Sequence, residues 1–480
     1  MSLKKSVAIV FSAILLTFAS TVASAQEYLF KLRKDTVALF SENTPEFMSE
    51  ECFSDNSALA TVGKVYTTDD LSVIQKYKEM GLLDYYEENA PAYLLDMPNT
   101  NEFMSSLMSG YVPLGESFAQ LNVNELWKLG LNGKGITVGV VDSGANAHTE
   151  LADNLLSGYN TYDSNYITAD GVYHGTMVSG LIAANGTSYR GVAYNSKIVP
   201  LKAFNDSGAG NTSTMANGIY KAVDEYNCDI INMSCGSLTN SLTLKDAVKY
   251  AINKGVIIIA ASGNVSGSKY GTATVGTKDN LMYPACYDGV ISVGNIDRYG
   301  NLSNTSMEND YVDVVANGKY ITGLSNTNLS GYTGNSGTSF SCPIVTGVVA
   351  CMLQVDPTLT PKNVEKILQE TATDLGTVGR DISYGYGKVN CEAIVRELLE
   401  GKLYKSDIVE YKGTYNIAIR NGLDSVYNRF LAFANYSGNK MVGISTKSIS
   451  LVKGESRVLT LEKKGSLARL FDFSSLNFAP

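Results

Sequence analysis

Hydrophobic positions change their spacing four times along the chain. Behind Lys4 and Lys5 an apolar stretch runs from Ser6 to about Phe18 and is followed by Ala23-Ser24-Ala25, the pattern of a secretory leader cleaved after Ala25. From Gln26 to roughly Leu114 the pattern is mixed. "EYLFKL" reads as a strand, Leu71, Ile74, Tyr77 and Met80 recur at helical spacing, and "LLDYYEENAPAYLLD" alternates. The polar "MPNTNEFMSSLMSG" then reads as a linker or cleavable connection. Between about Tyr111 and Leu399 short apolar runs ("ITVGVVD", "KIVPLKAF", "DIINMS", "VIIIAAS", "GVISVGN") alternate with amphipathic segments such as "STMANGIYKAVDEY" and "LKDAVKYAINKG". Near-continuous apolar strands separated by helices predict an α/β fold, a mostly parallel sheet with helices on both faces. Functional side chains then belong at the carboxyl ends of the strands. From about Gly401 the helical pattern is lost, and "YNIAIRN", "RFLAFANYS", "KMVGISTKSISLV" and "SRVLTLEK" alternate between turn signals. They predict a small β-rich module. The expected division is therefore 1–25, 26–114, 115–400 and 401–480.

Composition narrows the function. The 480 residues carry 38 Lys plus Arg against 47 Asp plus Glu, a formal charge of -9. Removal of a leader holding Lys4 and Lys5 makes the balance more acidic still. Nucleic acid is thereby excluded as the main partner, because phosphate recognition needs clustered positive charge. No second run of about 18–20 apolar residues follows the leader, so no membrane span is expected once it is removed. The 2 histidines, His148 and His174, nearly exclude a centre built on several imidazoles. The 7 cysteines (Cys52, Cys228, Cys235, Cys286, Cys342, Cys351 and Cys391) are odd in number, lack a CxxC pair and mostly sit in apolar runs. They read as small buried hydrophobes, with one or two disulfides left open outside the cell.

Four short motifs carry chemistry. "ITVGVVDSG" ends an apolar strand on Asp142, either a turn cap or a functional carboxylate. "YHGTMVSGLIAA" sets His174 just before a helix of small apolar residues, where Gly175 permits close backbone approach. A histidine in that place is either a packing residue or the base for acyl transfer. "IIIAASGNVSG" ends a strand in a turn holding Asn264, a left-handed turn residue or a donor to a developing oxyanion. "GNSGTSFSCPIVTGVVACML" leads from glycine into a helix with Pro343 expected in its first turn. Free N–H groups at such a helix start suit an oxyanion. On local grounds Ser336, Ser339 and Ser341 compete as nucleophile, and a plain Ser/Thr cap competes with all three.

Taken together, Asp142-Ser143-Gly144, His174-Gly175-Thr176, Ala260-Ala261-Ser262-Gly263-Asn264 and Gly337-Thr338-Ser339 before Pro343 resemble the subtilisin-like serine proteases (subtilases), in the family's order. The likeness covers roughly Asn122 to Leu399. It implies a secreted serine endopeptidase acting on proteins or peptides, with Ser339 as nucleophile, His174 as general base, Asp142 orienting it, and Asn264 with the Ser339 N–H forming the oxyanion hole. His148 is then structural. An extended substrate would pair with Gly208-Ala209-Gly210 and Ser234-Cys235-Gly236, and Ala261, Ser262 and Gly263 would form one wall of the pocket before the scissile bond. The small residues of that wall favour apolar or bulky side chains, and Val265 to Met282 completes the pocket with a long insertion. The likeness makes the segment from Gln26 to about Leu114 a propeptide, both folding aid and inhibitor, whose acidic tail enters the active site, so the chain would be a self-processed zymogen. No cofactor is needed for this chemistry. A structural calcium stays open, because many members build a calcium loop where this chain has only the short Asn185 to Arg190. Cys342, one helical turn after Ser339, reads as a buried thiol or a site for mercurials. The alternatives are a catalytically silent relative, which usually lacks one of the four groups present here, and a processing protease dedicated to one partner.

Overall fold

The computed structural model describes residues 27–33, 54–55, 65–95, 118, 120–265, 280–411 and 413–473. The leader, Cys52, the polar stretch after Asp96 and most of the insertion after Val265 lie outside these residues. The chain divides into two compact units, one reaching Asn89 and the other running from Ala90 onward.

The first unit is a four-stranded antiparallel sheet, ordered β2-β3-β1-β4. Its strands are β1 (Tyr28–Leu32), β2 (Ser54–Asp55), β3 (Val65–Thr68) and β4 (Leu83–Glu88), with helix α1 (Leu71–Glu79) between the last two. Asp70 caps α1 by accepting from the Ser72 N–H at 2.8 Å. Of the four residues spaced for a helix, Ile74 and Tyr77 are buried with Phe30 and Tyr66. Leu71 and Met80 are exposed, because they stand at the two ends of so short a helix.

The second unit begins with β5 (Pro91–Leu94) and, beyond the short helix α2 (Val123–Lys128), is organised on a seven-stranded sheet. Its strands are β6 (Thr137–Asp142), β7 (Tyr159–Asn160), β8 (Lys197–Lys202), β10 (Ile230–Met233), β12 (Ile257–Ala261), β13 (Val290–Ile296) and β14 (Val314–Asn317), ordered β14-β13-β12-β10-β6-β8-β7. Every pairing in it is parallel. The strand order turns at β6: the chain first adds β8 on one side, then β10 on the other. A crevice opens where order reverses, and Asp142 is the last residue of β6.

Alternate residues of β6 serve opposite faces. Val138 and Val140 join the main apolar cluster with helices α3 (His174–Ala183) and α6 (Thr338–Val355). Gly139 and Val141 face Ala222 and Gly218 of α4 (Thr212–Asp224). Helix α5 (Leu242–Asn253) packs beside α4, and α7 (Pro361–Thr371) and α8 (Cys391–Leu399) complete the layer around α6. Among the described residues α6 alone is long and apolar enough to cross a membrane. It was not anticipated as an apolar run of that length, and 89% of its apolar window is buried as the core helix.

Four short strands stand outside the sheet: β9 (Gly210–Asn211), β11 (Cys235–Gly236), β15 (Ile321–Leu324) and β16 (Tyr332–Asn335). The carboxyl-terminal strands β17 (Leu403–Lys405), β18 (Val409–Tyr411), β19 (Thr414–Asn421), β20 (Tyr427–Ser437), β21 (Lys440–Leu451), β22 (Ser456–Glu462) and β23 (Leu467–Phe473) form two antiparallel sheets. The two share one apolar cluster that includes Ile417, Phe433 and Leu459.

Candidate active site

Three elements bring the predicted side chains together at the β6 crevice. Asp142 closes β6 and is fully buried. His174 opens α3, and its Nδ1 lies 2.8 Å from Asp142 Oδ1 and 3.0 Å from Oδ2. The contact fixes the ring and directs Nε2 away from the carboxylate. Gly175 is required for this approach: a Cβ there would stand 2.0 Å from the Gly144 carbonyl oxygen. The His174 ring centroid is 5.5 Å from that of Phe340, which follows Ser339 on α6.

Helix α6 begins earlier than the sequence suggests. It starts at Thr338, so Pro343 lies inside the helix rather than in its first turn. Proline has no N–H and cannot bond the carbonyl four residues back, here that of Ser339. The Ser234 hydroxyl donates to that carbonyl instead, at 2.8 Å. Ser339 is thus the second residue of the helix, with its own N–H among the first-turn donors that have no partner within the helix.

The structure separates the three serines. Ser336 Oγ accepts from the Tyr320 N–H at 2.9 Å, and Ser341 Oγ donates to the Ala316 carbonyl at 3.0 Å. Ser339 Oγ is buried and makes no hydrogen bond among the described residues. Asn264 stands alongside. Its Oδ1 accepts from the Thr338 N–H at 3.1 Å and the Thr338 hydroxyl at 3.0 Å. That fixes the amide's orientation and leaves Nδ2 buried with no acceptor among the described residues, a donor available to a developing negative charge.

Strand β5 lies in the cleft between β9 and β11. It pairs antiparallel with both, through Ala92↔Gly210 and Pro91↔Asn211 on one edge and Leu94↔Cys235 and Tyr93↔Gly236 on the other. The Leu95 N–H donates to the Ser234 carbonyl at 3.2 Å, and the Leu95 carbonyl accepts from the Ser339 N–H at 3.2 Å. Of the predicted binding residues, Gly210, Ser234, Cys235 and Gly236 therefore meet an extended chain. Gly208 and Ala209 instead close a turn on Asn205, and pairing continues into Asn211, which the sequence reading did not include. Ala261 ends β12, the Ser262 N–H donates to the Val293 carbonyl at 3.0 Å, and Gly263 has a left-handed φ of 112 degrees.

Asp170 also escaped the sequence reading. It accepts from the Thr176 N–H and hydroxyl, from the N–H groups of Val172 and Tyr173, and from the Ser143 hydroxyl. It thereby caps α3, whose formal cap, Tyr173, supplies no side-chain bond. Burial pushes its carboxyl above the ordinary range, and these hydrogen bonds pull against that rise. Its only sequence signal is an acid shortly before the helix.

His148 is fully buried, with Nε2 2.9 Å from the Gly331 carbonyl oxygen and Nδ1 accepting from the Glu150 N–H. The six described cysteines are free and buried, and burial pushes the Cys342 thiol up to about 12. Among the described residues no group of three or more His, Cys, Asp or Glu could hold a metal ion. Beside the segment from Asn185 to Arg190, the Glu150 carboxylate accepts from the N–H groups of Ser188 and Tyr189 and from the Tyr332 hydroxyl.

Comparison with known sequences agrees with this layout. The profile of the Subtilase family matches residues 133–387. Subtilisin DY of Bacillus licheniformis is 38% identical over 269 residues, which is 55% of this chain and 92% of that protein. Subtilisin E of Bacillus subtilis is 31% identical over 385 residues, 78% of this chain and 92% of the relative. Minor extracellular protease Epr of Bacillus subtilis is 32% identical over 340 residues, 68% of this chain, which spans only 49% of Epr.

Proposed function

The chain belongs to the subtilase family and is a subtilisin-like serine endopeptidase, and on that premise we propose that it is exported, is made as a self-processed zymogen, and cuts protein or peptide substrates with Asp142, His174 and Ser339. Ser339 Oγ attacks the scissile carbonyl carbon while His174 Nε2 takes its proton. Asp142 holds the ring and stabilises the imidazolium. The Ser339 N–H and Asn264 Nδ2 hold the oxyanion. His174 then protonates the leaving amine, and water hydrolyses the ester to restore the serine. Nucleophile, base and oxyanion donors all come from the chain itself.

The observation that carries this reading is the buried Asp142–His174 pair, with its ring against Phe340 at the start of the helix holding Ser339. The leader pattern before Gln26, together with a relative named as an extracellular protease, supports export. The test is turnover of fluorescent casein by the full chain. Wild type hydrolyses it, and Ser339→Ala loses about 10⁶ in kcat, the loss known for subtilisin, and accumulates as full-length precursor. Maturation of purified Ser339→Ala at the wild-type rate would contradict self-processing.

A further inference from the structure

We propose that the peptide bond after Leu95 is the first that this chain cuts, and that the way Ala92 to Leu95 are held defines its preference: a leucine-sized apolar residue before the cut and a small residue three positions earlier. The inference rests on the endopeptidase reading above and adds the bond and the specificity to it.

Register comes from backbone pairing along the whole of β5. The Thr212 N–H bonds the Ala90 carbonyl at 2.9 Å, the Ser237 hydroxyl bonds the Pro91 carbonyl at 2.7 Å, and the Ser234 carbonyl holds the Leu95 N–H. A slip by one residue would break these bonds and turn every side chain to the other face. In this register the carbonyl at the start of α6 is that of Leu95. Cleavage there forms the Ser339 Oγ–Leu95 carbon bond and breaks the bond to the nitrogen of Asp96. The serine proton passes through His174 to that nitrogen, and water then releases the Leu95 carboxylate and restores the hydroxyl.

The side chains supply the preference. Leu95 is 2% exposed and shares its apolar cluster with Ala261, Met282 and Met307. Met282 lies against both walls of the recess. A Cβ on Gly236 would stand 2.7 Å from its sulfur, and one on Gly263 would stand 3.1 Å from its Cβ and 2.4 Å from the Met307 sulfur. Two uncharged thioethers therefore stand against Gly236 and Gly263, and a carboxylate buried among such groups would be without a partner. Ala92, 3% exposed, pairs with Gly210, where an added Cβ would stand 2.6 Å from Phe204 Cδ1. Tyr93 is only half-buried, so that position tolerates variety.

The test is a time course of purified full-length precursor with amino-terminal sequencing of the earliest product, followed by peptide amides Ala-Tyr-Leu-Xaa with the matured enzyme. The expected first amino terminus is Asp96-Met97-Pro98. Xaa as Leu is expected to exceed Asp by about 10³ in kcat/KM and Phe by about 10-fold, and Met282→Ala shifts the balance toward Phe. A first terminus elsewhere, or equal rates for Leu and Asp, in a preparation that hydrolyses casein would overturn this inference and leave the endopeptidase reading standing. Absence of both processing and casein hydrolysis would overturn that reading and this inference with it.

Discussion

Asn264 is held from one side and presents a donor on the other. Its oxygen is fixed by Thr338, and its amide nitrogen is the buried donor without an acceptor. Asn264→Ala is expected to lower kcat by about 10²–10³ with the fold retained, read from steady-state rates and a melting curve. Thr338→Val removes one of the two bonds to that oxygen. It is expected to lower kcat by about 10-fold with KM little changed, the signature of an interaction realised in the transition state. At this scale the meeting of Asp142 with His174, and of Asn264 with the start of α6, involves short motifs that stand out in the sequence. The choice among Ser336, Ser339 and Ser341 was not legible locally, since all three are small polar residues beside a helix start. Their partners are what separate them, Tyr320 for Ser336 and Ala316 for Ser341. The bond from Thr338 to Asn264 is not legible locally either, because the two are 74 positions apart.

Helices and strands explain why those residues converge. Helix α3 starts where it does because Asp170 gathers its first N–H groups. Each carboxylate oxygen faces donors, so Asp170→Asn must turn its own N–H₂ toward one set of them. A loss of about 2–4 kcal/mol in urea unfolding is expected. The start of α6 was misread because proline usually marks a first turn; here the Ser234 hydroxyl replaces the lost bond and lets the helix continue through Pro343. Just before β14, Asp313 carries a pH dependence. Burial raises its carboxyl to about 6, against bonds from the Ser292 N–H and Gln369 that lower it. In the unfolded chain it titrates near 3.8, so the folded form binds the extra proton between these values. Its contribution is fully present below about pH 4 and is lost as pH rises through about 6, a change of about 2–3 kcal/mol. Asp313→Asn keeps an acceptor for Ser292 and is expected to flatten stability between pH 4 and 7 by that amount, measured by urea titration at each pH.

Across the whole molecule, the parallel sheet was legible because its strands are buried on both faces and read as continuous apolar runs. The switch at β6 was not, because strand order depends on pairings between residues distant in sequence. The position of β5 likewise depends on β9 and β11, which are two residues each and carry almost no pattern of their own. The carboxyl-terminal strands were legible from alternation alone; the Tyr404 hydroxyl ties them to the Leu129 carbonyl at 3.2 Å. The most direct measurement of the central claim, that Asp142, His174 and Ser339 act as one catalytic group, is peptide mapping of the processed protein after reaction with a fluorophosphonate. The adduct is predicted on Ser339 alone. An adduct on Ser336 or Ser341, or a fully processed protein in which no serine reacts, would contradict it.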